Sequence, residues 1–181
     1  MKRWGKIIVF SLLGVLVVLA ALFGYGYYEF WGKFEVDETK YAHNVEYIDP
    51  EEAFSDVGFE VCDEERIAQY YNPKRASYSK GKNGLRNFIL SNYENKGYTD
   101  SGYLNIRFII NCEGKAGRYI IHENNLDLEP TDLDDAMVEQ IFKLTQKLEQ
   151  WNPVFFRDKP WDAYMYLSYR IEHGEIIEIL P

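Results

Sequence analysis

Apolar and polar residues alternate with a period of two from Gly102 to Cys112. Leu104, Ile106, Phe108, Ile110 and Cys112 take one side. Asn105, Arg107 and Asn111 take the other, with Tyr103 and Ile109 among them. Successive strand side chains point to opposite faces, so this spacing predicts a strand with one buried face. Glu113-Gly114-Lys115-Ala116-Gly117 follows, and its glycines can supply the positive φ of a short connection. Arg118 to His122 then returns as the partner strand. The rest of the chain reads as cover for this hairpin, Ser101 to Asn125.

Helical spacing appears on both sides of it. Asp63 to Tyr71 predicts a short helix capped by Asp63 and stopped by Asn72-Pro73. Gly84 to Tyr93 places Leu85, Phe88, Ile89 and Tyr93 on one face. The longest helix is predicted to open near Thr131-Asp132. Its stripe runs through Leu133, Met137, Ile141, Leu144, Leu148 and Trp151, with Asn152-Pro153 as the stop. Ala163 to Ile171 alternates again, His173-Gly174 turns the chain, and Glu175 to Leu180 makes a short last strand. The order helix, strand, strand, helix, strand, strand predicts an α+β domain. Its expected form is a small antiparallel sheet with two main helices packed on one face.

The N-terminus follows a different pattern. Met1 to Lys6 is basic, and Ile7 to Phe23 is apolar except for Ser11 and Gly14. That run spans about 26 Å as a helix, and about 33 Å if it continues to Tyr28. Tyr25, Tyr27, Tyr28, Phe30 and Trp31 crowd its far end, as an interfacial aromatic belt does. The basic residues precede the helix, which predicts a single pass with the N-terminus in the cytoplasm and the remainder outside. A cleaved signal peptide is the competing reading, with Val18-Leu19-Ala20 as its site, but the apolar run is long for one. The predicted organisation is a tail over 1–6, an anchor over 7–28, a polar, acidic tether over 29–60 that can become ordered near Val45 to Phe59, and a folded domain over 61–181.

Charge narrows the partners. Of 20 basic and 29 acidic side chains, three and one fall in residues 1–31, leaving 17 and 28 and a net charge of −11 beyond them. So acidic a domain is a poor match for a phosphate backbone. Candidate chemistry is sparse. His43, His122 and His173 lie in different elements without metal-ligand spacing, so no metal site is expected. Asp127, Glu129, Asp132, Asp134 and Asp135 lack a calcium-loop pattern and suit the start of a helix. There is no phosphate-binding glycine loop and no nucleophile elbow, and no cofactor is expected. Cys62 and Cys112 can pair in an oxidising space, closing a loop worth about 4 kcal/mol in the chain-entropy model. The other reading of the pair is two buried thiols.

From Tyr78 onward the chain resembles the C-terminal domain of the TonB family. The resemblance rests on four stretches in order: Tyr78 to Leu85, the loop before a helix; Gly102 to Lys115, of the form Gly-x-Leu-x-Ile-x-Phe-x-Ile-Asn-x-x-Gly-Lys; Trp151-Asn152-Pro153 after the long helix; and the strand Tyr164 to Ile171. The resemblance implies a noncatalytic protein of the cell inner membrane. Its periplasmic domain would bind a protein or peptide by adding it to a sheet edge. It also implies transport partners, namely outer-membrane transporters and ExbB/ExbD-like motor subunits. The gripping strand would be Tyr164 to Ile171, with Tyr164, Tyr166, Ser168 and Arg170 facing the partner; the other reading is an ordinary strand whose edge is occupied by Glu175 to Leu180 or by a dimer mate. Two departures stand out. The anchor has Ser11 but not the histidine that family anchors carry, and the tether is short and has few prolines. They leave a second expectation: a structural or regulatory envelope module that self-associates, as a homodimer for instance, and couples to no motor.

Overall fold

The computed structural model describes residues 2–34, 47–54, 58–70 and 76–180. The chain divides into two compact units, Met1–Val45 and Glu46–Pro181. In the first, α1 runs from Lys2 to Phe30 and a single 3-10 turn, Gly32–Phe34, follows it. From Trp4 to Phe30 it is long and apolar enough to cross a membrane. Leu and Ala favour the helix, and within its apolar run Ser11 Oγ donates to the Ile7 carbonyl at 2.6 Å. Tyr27 stacks on Trp31 with ring centres 5.9 Å apart.

The second unit is built on the predicted hairpin. β1 is Ile67–Ala68, β2 Ser77–Tyr78, α2 Gly81–Asn92, β3 Gly102–Ile110 and β4 Ala116–Asn124. α3 is Asp135–Gln146, β5 Trp151–Asn152, β6 Val154–Phe156, β7 Lys159–Glu172 and β8 Glu175–Leu180. β3 pairs antiparallel with β4 on one side and with β7 on the other, from Gly102 opposite Ile171 to Ile110 opposite Ala163. β8 returns antiparallel beside β7, and β1 lies parallel to it. The sheet is therefore mixed, not purely antiparallel. β2 and β5 form a separate two-stranded ladder.

Period-two patterning decides the two faces. Leu104, Ile106, Phe108 and Ile110 of β3, and Met165, Leu167, Tyr169 and Ile171 of β7, share one core with Leu85 and Ile89 of α2 and Met137, Ile141 and Leu144 of α3. Asp134 caps α3, its Oδ1 accepting the N–H groups of Ala136 and Met137 at 3.0 Å. The apolar stripe outlasts that helix. α3 ends at Gln146, the Leu148 N–H bonds back to Thr145, and Gln150 (φ 66°) turns the chain. Leu148 and Trp151 thus reach the same core from a turn and from β5, not from the predicted extra helical turn.

The opposite face is half covered by the chain leading into the domain. Ile48, Ala53, Phe59, Val61 and Ile67 pack on Ile109, Ile120 and Tyr164. Phe54 and Tyr119 exchange two backbone hydrogen bonds of 2.8 Å. Described residues between 47 and 60, in the part of the tether expected to become ordered, pack with the folded unit. The helix predicted from Asp63 does not form. Asp63 accepts the Glu65 N–H and the Arg66 Nε–H in a turn, and Ile67–Ala68 instead pair with Asp162 and Ala163 of β7. Tyr71, Asn72 and Pro73, the end of that predicted helix, lie outside the described residues.

Cys62 and Cys112 are joined in a disulfide, their Cα atoms 6.1 Å apart. Arg118, 8% exposed, holds Glu64 through both guanidinium nitrogens. This hydrogen-bonded pairing holds the Glu64 carboxyl below its ordinary pKa.

Candidate partner-binding surface

The four residues proposed to meet a partner all lie on the sheet face turned away from α2 and α3. Their surroundings differ. Tyr164 is 8% exposed and is covered by the chain's own residues, in one cluster with Ile48 and Ile109. Burial raises its hydroxyl pKa, and a backbone bond with Ile48 opposes the rise. A partner cannot reach Tyr164 without displacing that cover. Tyr166 is half-buried, its ring centre 4.0 Å from that of Tyr70.

Further along β7 the face opens. The cross-strand neighbours there are Arg107 opposite Tyr166, Asn105 opposite Ser168 and Tyr103 opposite Arg170. On β4, Ile120, His122 and Asn124 continue these rows. On β8, Leu180 stands beside Ser168 and Glu178 beside Arg170. The result is a polar and aromatic strip with an arginine near each end. Asn105 Nδ2 donates to Asn124 Oδ1 at 3.3 Å, and Arg170 pairs with Glu172. Arg107 is different: no carboxylate pairs with it among the described residues, and partial burial lowers its pKa. A half-buried cation of this kind suits a carboxylate or a carbonyl-rich backbone brought by a partner.

Backbone pairing bears on edge addition. β7 carries β3 along one side. On its other side β1 takes Asp162 and Ala163, and β8 takes Ser168 to Glu172. Only Tyr164 to Leu167 lack a strand neighbour there among the described residues, so β7 is an interior strand over most of its length. The outer edge of β8 has no strand against it among the described residues. Its Ile177 and Leu180 are 45% and 46% exposed.

The remaining candidates scatter. His122 is on the polar strip. His173 is in the β7–β8 turn, where its N–H donates to Ser101 Oγ. His43 lies outside the described residues. Asp134 is a helix cap, and Asp127 and Glu129 donate their N–H groups to Asn125 Oδ1 in a tight turn. The one cluster of three metal-ligating residue types among the described residues is Cys62, Cys112 and Asp162. The disulfide ties up both of its sulfurs. Asp162 escaped sequence reasoning: it is 1% exposed, and its carboxylate accepts the N–H groups of Cys62, Asp63 and Cys112. A lone acid in an alternating run gives no signal of such a role. No protein-family model, curated protein or solved structure matches this chain.

Proposed function

We propose that this chain is a single-pass, inner-membrane-anchored binding module of TonB-like type. α1 holds it in the bilayer with the N-terminus cytoplasmic, and the periplasmic domain takes up an extended segment of a protein partner without catalysis. The observation that carries this reading is the unpaired outer edge of β8, Glu175–Leu180. It lies beside a strip bearing Tyr166, Ser168, Arg170 and Arg107. An added strand gains main-chain hydrogen bonds from the edge, and alternate side chains read its sequence. Because β1 and β8 occupy much of the β7 edge, the gripping position moves from β7 to β8. The three accessible residues of β7 then read the partner from the sheet face. The partner class is an outer-membrane transporter, with ExbB/ExbD-like subunits against α1.

A photo-crosslinking amino acid at Ile177, at Ser11 and at the control position Lys96 tests this in intact cells. The expected result is a transporter adduct from Ile177, a motor-subunit adduct from Ser11 and neither from Lys96. Adducts from Ile177 only to a second copy of the chain would replace transport with self-association. Equal labelling from Ile177 and Lys96 would remove edge binding altogether.

A further inference from the structure

The β6–β7 ladder carries aromatic side chains that the core does not take up. Val154 is buried, but Phe155 and Phe156 are 50% and 48% exposed, and Trp161, paired with Val154, is only half-buried. The rings of Phe156 and Trp161 are 5.1 Å apart. The Arg157 guanidinium lies 5.5 Å from the Phe156 ring, and that of Arg66 lies 5.7 Å from the Trp161 ring. The two rings thus lie together between two cations on this protrusion. Arg157 and Asp158 form the turn with φ values of 48° and 63°. Aspartate suits that conformation, but glycine or asparagine adopts it at lower cost than arginine, so turn chemistry alone does not account for Arg157.

Two further observations indicate what meets this tip. Arg66, Arg157 and Lys159 gather here in a chain whose net charge beyond residue 31 is −11; Asp63 pairs with Arg66 and Asp158 shares the turn, which leaves the tip with a net charge of about +1. Ile48, at the start of the folded unit, packs with Tyr164, three residues along β7 from Trp161. Chain entry and hairpin root therefore occupy the same half of the sheet. Between Phe34 and Tyr47 the chain can span at most about 45 Å. A connection of that length lets the domain reach the surface of a bilayer that α1 spans.

We propose that this hairpin docks in the interfacial layer of a lipid bilayer, the one that holds α1. Phe155, Phe156 and Trp161 enter the boundary between headgroups and acyl chains, and Arg157 and Lys159 meet lipid phosphates. Aromatic rings prefer that layer, and cations beside them are drawn to its phosphates. This inference rests on the reading of α1 as a membrane span.

The test uses the full chain reconstituted into vesicles of phosphatidylcholine and phosphatidylglycerol. Asp158→Cys and Lys96→Cys each receive an environment-sensitive dye. The native cysteines are paired, so unreduced protein is labelled only at the new thiol. Retention after a carbonate wash reports the anchor, and dye emission reports the hairpin. The expected result is retained protein with blue-shifted emission at position 158, quenched by doxyl-labelled lipid, and water-like emission at 96. Adding Phe155→Ser and Phe156→Ser should return the dye at 158 to water-like emission. Retained protein with water-like emission at 158 overturns docking and leaves the anchor standing. A shielded dye that lipid quenchers do not reach indicates a protein contact and also overturns it. Loss of the chain in the wash overturns the anchor reading, and lipid docking with it.

Discussion

The Oδ1 of Asp162 stands 2.9 Å from the backbone nitrogen of Cys112 and 3.2 Å from that of Cys62. A single carboxylate on β7 thereby bridges the two halves of the disulfide, and its Oδ2 takes the Asp63 N–H at 2.8 Å. Three backbone donors converge on this buried carboxylate, and such charge-assisted bonds are each stronger than a neutral one. Asp162→Asn keeps one acceptor but turns an amide NH2 towards a backbone N–H. We expect a loss of about 2 kcal/mol or more, read from urea unfolding of unreduced protein. Unchanged stability would mean that the carboxylate does not organise the crossing.

The disulfide closes the same crossing covalently over a sequence separation of 50 residues. In the chain-entropy model such a loop contributes about 4 kcal/mol. The variant combining Cys62→Ser and Cys112→Ser should lose an amount of that order, seen as a lower melting temperature than that of the oxidised parent. Reductant should lower the parent towards the variant and leave the variant unmoved.

Much of this domain is legible in the sequence because its core strands alternate cleanly. Leu104 to Ile110 and Met165 to Ile171 fix which faces meet α2 and α3, and no other assignment buries both rows. The second face is harder to read. Its cover comes from Ile48, Phe59 and Ile67, scattered through polar, acidic sequence with no period. β1 owes its existence to a parallel pairing with β7 that local propensity cannot signal. The β6–β7 hairpin hides for another reason: its turn is Arg157-Asp158, where arginine takes the first positive-φ position and no glycine follows the aspartate. The edge of β7 is half legible: Glu175 to Leu180 can be read from the sequence as its neighbour, but the parallel β1 cannot.

Gly117 shows how tightly that cover sits. A Cβ added there would fall 2.2 Å from Cγ of Phe59, far closer than van der Waals contact allows. Gly117→Ala should therefore displace Phe59 and cost about 1–3 kcal/mol by overpacking. In a background already carrying Phe59→Ala the same substitution should cost much less, since the clashing ring is gone. A double-mutant cycle of unfolding free energies measures the coupling, and strict additivity would count against the contact.

Tyr169 makes the fold sensitive to base. It is fully buried, and its hydroxyl lies 2.8 Å from Thr145 Oγ1, which donates to the Ile141 carbonyl. Burial raises its pKa well above the ordinary 10.0, opposed only in part by the Thr145 bond. Tyr93, whose hydroxyl donates to the Gly174 carbonyl, is pushed up to about 12, again chiefly by burial. A raised pKa in the folded state means that the folded chain holds a proton that the unfolded chain gives up near pH 10. The associated stability is complete below that pH and is lost as pH rises towards the folded value. Tyr169→Phe should cost about 1 kcal/mol at pH 7 through the lost hydrogen bond. Above pH 10 its stability should fall less steeply than the parent's, by up to about 1.4 kcal/mol per pH unit, one proton's worth. Urea midpoints between pH 8 and about 11 measure both slopes, and parallel curves would show that Tyr169 does not set the alkaline limit.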